Sequence, residues 1–172
     1  MNKIRRDSDN PAGQAPTDLP ELADGEVLVT ELDRRFLRGM YAGGHFIRSD
    51  EPRNYGGSDL GPTPYDLLLM SLGACTSMTL RMYANRKQMA LEDVQVRLRH
   101  ERVHAEDCAD CEDGLERITR RITLIGDLDE EQRQKLLDIA DRCPVHRTLM
   151  SDLRIDSELT NQADPGPGEG QN

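Results

Sequence analysis

The sequence predicts an α+β fold, and three stretches carry that prediction. Residues 64–86, "PYDLLLMSLGACTSMTLRMYANR", are apolar on almost every side of a helical wheel. The segments "EDVQVRLRHERV" (92–103) and "RITRRITLI" (117–125) alternate apolar and polar residues, and "YAGGH" sets two glycines between short β-leaning runs. Period-two alternation marks strands with one buried face, and a helix apolar all round is a buried one. Antiparallel strands with one covered face, plus two or three helices, make an α+β domain.

Taken in order, residues 1–24 hold Pro11, Pro16, Pro20 and scattered acids without periodicity, which predicts a disordered arm. Strands are predicted near 26–32, 35–41 and 45–49, with Gly43 and Gly44 supplying the positive φ of a hairpin turn. After the loop "NYGGSDLGPTP", Thr63, Pro64 and Asp66 form a helix start of the box-like T-x-x-D kind. Gly73 inside this helix costs about 1 kcal/mol relative to alanine, which predicts a close approach at that point. The strand 92–103 and its antiparallel neighbour 117–125 follow, the latter with Ile118, Ile122 and Leu124 on one face. Arg117, Arg120 and Arg121 of that strand read as a solvated face. Asp129 and Gln132 make a capping box for an amphipathic helix that Pro144 ends, and a short helix runs on to about Met150. "LRIDSEL" predicts a last strand with Leu153 and Ile155 on one side. The domain spans 25–160, and "NQADPGPGEGQN" predicts a disordered tail over 161–172.

The 172 residues suit one domain, able to bury roughly 68–70% of the surface its unfolded chain exposes. With no Trp, two Phe and four Tyr, the core must be aliphatic. A net charge of -10 repels phosphate backbones and argues against nucleic-acid partners. No stretch reaches the ~20 consecutive apolar residues of a membrane span, and the N-terminus lacks a secretory apolar segment. A cytoplasmic protein is therefore expected, whose cysteines are reactive or metal-binding rather than structural disulfides. There is no G-x-S-x-G elbow, no G-x-x-x-x-G-K phosphate loop and no G-x-G-x-x-G dinucleotide turn.

The four cysteines fall into three settings. Cys75, in the middle of the apolar helix, is either a small core hydrophobe or a reactive thiol that needs a cation from elsewhere in the fold. Cys143 precedes Pro144 at a helical start, where free N–H groups and the neighbours Arg142, His146 and Arg147 favour its thiolate; the bland alternative is a helix-breaking corner. Cys108 and Cys111 form "HAEDCADCE", with His104 and His100 ahead of them. These residue types suit a tetrahedral zinc, a dithiol switch or a plain acidic loop, and the spacing is not that of a zinc finger.

"GPTPYDLLLMSLGACTSMTLRMYANRK", with "LLDIADRCPVHRTL" far downstream, resembles the OsmC family of osmotically inducible proteins and organic hydroperoxide reductases. The likeness runs from about Glu26 to Leu159 and includes "DEP" after the hairpin. It implies an intertwined homodimer in which antiparallel sheets wrap buried central helices. It also implies reduction of organic hydroperoxides in oxidative-stress defence: Cys75 attacks the peroxide, and Cys143 resolves the sulfenic acid as a disulfide. The resemblance further implies a dithiol reductant such as a lipoyl group, with no cofactor needed for the peroxidase chemistry. Family members place a Glu ten residues before the first cysteine; here that position is Tyr65, with Asp66 beside it. The family's activating Arg has its nearest match in Arg34 or Arg35, with Arg38 close by. The alternative reading is a non-enzymatic metal-binding or redox-sensing protein centred on His104, Cys108 and Cys111.

Overall fold

Gly43 and Gly44 take positive φ angles of 51° and 79° and turn the chain between two strands, as their place in the sequence predicts. The computed structural model describes residues 19–103 and 115–161. It divides into two compact units: one takes the chain up to Pro64 and again from Ser157, the other is Tyr65–Asp156. The predicted arm 1–24 lies largely, and the predicted tail 161–172 almost wholly, outside the described residues.

In the first unit, β1 (Val27–Glu31), β2 (Arg38–Ala42) and β3 (His45–Ser49) form an antiparallel sheet in that order. Met40 faces Val29 on one side and Ile47 on the other. The second strand begins at Arg38, not at residue 35, because residues 32–36 bend and the Asp33 carboxylate accepts the N–H groups of Arg35 and Leu37. Beyond β3, Asp50 is buried and its carboxylate accepts the N–H groups of Glu51, Ser58 and Leu60. A buried carboxylate so paired holds the Gly-rich loop in one shape.

The second unit is built on α1 (Pro64–Arg86), β4 (Ala90–Val103), β5 (Leu115–Asp127), α2 (Glu130–Ala140) and α3 (Pro144–Leu149). Strands β4 and β5 pair antiparallel as one long hairpin, with a register shift between Leu91 and Asp93. Val94, Val96 and Leu98 of β4, and Ile118, Ile122 and Leu124 of β5, keep to the less exposed face, as alternation requires. Asp129 and Gln132 form the predicted capping box, each side chain taking the other's backbone N–H. The core gathers Leu80 and Ala84 of α1, Leu91, Leu128, and Leu136, Ile139 and Ala140 of α2.

Three expectations are corrected. Helix α1 is not buried on every side: its buried residues are Leu72, Thr76, Leu80 and Ala84, a single stripe at four-residue spacing. Met70, Met78 and Met82 remain 57%, 65% and 73% exposed. A helix this apolar has more greasy surface than one hairpin and one short helix can cover. The same helix is, by length and composition only, apolar enough to cross a membrane, against the expectation that no segment was; a core helix passes the same test. Finally, "LRIDSEL" pairs with no strand among the described residues, and Ile155 is 80% exposed. An alternating segment becomes a strand only where an edge is free to receive it.

Candidate functional site

Alternation along β5 places Arg120 on the same face as Ile118 and Ile122, pointing inward rather than into water. Its side chain is only 12% exposed. This corrects its assignment to a solvated face; the phase of the strand, not the charge, was the signal to follow. Burial is tolerated because the guanidinium is well paired. It donates to Asp141 Oδ1 at 2.6 Å, to the Ala140 carbonyl at 3.2 Å and to Thr76 Oγ1 at 3.0 Å.

Thr76 carries the line further. Its hydroxyl, fully buried on α1, donates to Cys143 Sγ at 3.7 Å. Cys143 is itself fully buried at the start of α3, where Pro144 takes the first helical position. Its sulfur stands where a capping oxygen normally would and accepts the His146 N–H at 3.3 Å. Cys75, one residue before Thr76 and half-buried, lies close enough for its thiol to help lower the Cys143 pKa. Both thiols are free. The two cysteines therefore meet, brought together by α1 and by the turn into α3.

Four groups thus converge on one sulfur. Burial is the largest influence on Cys143 and pushes its pKa up. The His146 N–H, the Cys75 thiol, the Thr76 hydroxyl and the Arg120 charge act the other way, and together they hold it below the ordinary 9.0. A buried sulfur surrounded by donors and a cation is set up to carry negative charge. Such a site can do thiol–disulfide and thiol–peroxide chemistry.

The remaining predicted residues have surroundings of their own. Arg34 and Arg35 are exposed in the bend between β1 and β2 of the first unit. Arg38 pairs with Glu31 at 3.2 Å and donates to the Arg35 and Leu37 carbonyls. Asp66 lines an open groove of about 460 Å³ with Leu69, Met70, Gly73, Val96 and Leu98, to which neither cysteine contributes. The close approach predicted at Gly73 comes from β4: a Cβ there would sit 2.9 Å from Leu98 Cδ1. The Tyr65 ring stacks on His100 at 4.4 Å, and His100 meets Glu116 at 2.5 Å. His104, Cys108 and Cys111 lie outside the described residues. Among the described residues there is no group of three or more metal-ligating side chains.

The sequence model of the family described as OsmC-like protein matches residues 56–158, more than half of the chain. No curated protein matches it. Among solved structures the chain is similar to an OsmC-like protein from Mycoplasma pneumoniae, at 21% identity and a TM-score of 0.60, covering 74% of this chain and 87% of that one. It is similar to an organic hydroperoxide resistance protein from Legionella pneumophila at 18% identity and a TM-score of 0.54, over 72% and 87% of the two chains. The protein of that description from Elizabethkingia anophelis gives 15% identity and 0.56, over 73% and 87%. At these identities the likeness carries the fold alone.

Proposed function

Since the chain belongs to the OsmC-like protein family, we propose that it reduces organic hydroperoxides with Cys75 as the attacking thiol and Cys143 as the resolving one. The meeting of the two thiols carries this reading: Thr76, next to Cys75 on α1, donates to Cys143 Sγ at 3.7 Å, and the Cys75 thiol helps to hold the Cys143 pKa down. Two free cysteines in contact, one of them surrounded by donors, are what a dithiol peroxidase needs and what a plain core does not. Cys75 is the partly exposed member and Cys143 the fully buried one, which suits a peroxide meeting Cys75 first.

The Cys75 thiolate attacks the terminal oxygen of the hydroperoxide, and the O–O bond breaks. The alkoxide takes up a proton and leaves as the alcohol, with Cys75 now a sulfenic acid. The Cys143 thiolate then attacks the Cys75 sulfur. The S–O bond breaks, hydroxide leaves and is protonated to water, and the disulfide holds the two oxidising equivalents. An external dithiol, such as a lipoyl group, restores both thiols by exchange. The test uses a chain in which Cys108 and Cys111 are serine. One equivalent of an alkyl hydroperoxide is expected to lower the intact mass by two hydrogens and to link the Cys75 and Cys143 peptides. Unchanged mass, or oxidation at neither cysteine, overturns the reading.

The same chain is proposed to work as a homodimer. The uncovered Met70, Met78 and Met82 stripe and the unpaired Leu153 and Ile155 are apolar surfaces of the kind a second copy buries. Light scattering is expected to return twice the 19.4 kDa chain mass at micromolar concentration. A monodisperse monomer overturns the dimer.

A further inference from the structure

We infer that Arg120, acting through the Thr76 hydroxyl, is the positioning residue that favours ionisation of Cys143. This deepens the thiol chemistry proposed above and rests on it. Three observations assign the role. Arg120 is the buried cation of this unit that faces the thiols, and its Nη1 donates to Thr76 Oγ1 at 3.0 Å. That bond occupies the threonine oxygen as acceptor and leaves its proton to point at Cys143 Sγ, 3.7 Å away. The two bonds run in one direction, from guanidinium to hydroxyl to sulfur, so each polarises the next toward a negative sulfur.

The second observation is the fixing of the guanidinium. The Ala140 carbonyl and the Asp141 carboxylate hold its other donors at 3.2 and 2.6 Å, at the end of α2 just before Cys143. The cation is therefore anchored to the segment that carries the thiol it serves. The third is the set of charged and titratable groups around Cys143. These are Cys75 on α1, Arg120 on β5, Asp141 at the end of α2, and the chain neighbours Arg142 and His146. Burial works against the thiolate; the His146 N–H, the Cys75 thiol and the Thr76 hydroxyl favour it, and Arg120 adds the favouring charge. The proton lost from Cys143 passes to solvent buffer.

The test reads ionisation and uses no peroxide. In the full chain with serine at 108 and 111, the ultraviolet thiolate absorbance of each variant is compared with that of its Cys143→Ser counterpart across pH. Arg120→Met is expected to raise the Cys143 midpoint by about one pH unit, so that about tenfold less thiolate is present below it. Thr76→Val, which keeps the side chain's shape, is expected to raise it as well. Arg120→Lys is expected to fall between, because an ammonium keeps the charge but cannot reach Thr76, Ala140 and Asp141 at once. A wild-type midpoint in both Thr76→Val and Arg120→Lys overturns the inference, whether or not Arg120→Met folds. Shifted midpoints in a chain that ignores hydroperoxide would sink the proposed function and leave the Arg120 assignment standing. A peroxidase with unshifted midpoints would do the reverse.

Discussion

Replacing Cys75 with serine is expected to abolish turnover of an alkyl hydroperoxide, and replacing Cys143 is expected to halt it after about one equivalent per chain. The two outcomes differ because the two sulfurs are placed differently. Cys75 is the partly exposed thiol, and without it no sulfur that a peroxide can reach remains at this site. Cys143 is fully buried and held by Thr76 and the His146 N–H, so its task begins once Cys75 is oxidised. In the Cys143→Ser chain, Cys75 should be trapped as sulfenic acid or a higher oxide, readable by intact mass and a sulfenic-acid probe. Finding instead that Cys143→Ser is inert while Cys75→Ser forms a sulfenic acid would reverse the two roles.

The second large effect concerns stability. Leu80→Ala is expected to cost about 2–5 kcal/mol, a substantial part of the ~5–15 kcal/mol that holds a domain folded. Leu80 is fully buried and sits in the cluster with Leu91, Leu128, Leu136 and Ala140, where α1, the hairpin and α2 meet. The other members of the cluster are short, branched or small side chains, and Met89 is the flexible neighbour packed against it that could fill part of the cavity. The measurement is the urea midpoint of wild type and variant. A shift equivalent to less than about 1 kcal/mol would mean that this junction collapses easily around the lost methyls.

Much of the second unit was legible from local chemistry. Thr63–Pro64 marked the start of α1, Asp129 and Gln132 marked α2, and Pro144 marked the turn at which Cys143 acts as a cap. Each depends on a few neighbouring residues and one backbone rule. Arg120 was harder, since composition puts arginine outside while strand phase puts this one inside beside Thr76. The cover of α1 was harder still. Sequence shows that Met78 and Met82 are apolar, but not whether the surface they seek belongs to the same chain. The strand expected at 153–159 failed for the same reason, because pairing requires an edge that its own sequence does not contain. Arg34 and Arg35 were placed by resemblance alone, and no spacing rule ties a bend in the first sheet to a thiol on α1.

The bonds to Cys143 and Thr76 join residues far apart along the chain. Thr76 and Cys143 are separated by 67 positions, and Arg120 and Thr76 by 44. During synthesis Cys75 leaves the ribosome well before Arg120 and Cys143, which lie 45 and 68 positions further along the chain. A partly made chain thus carries Cys75 without Arg120 or Cys143. Under the proposed chemistry, oxidant met at that stage finds Cys75 without its resolving partner, because the pair forms only after contacts far apart in sequence have closed.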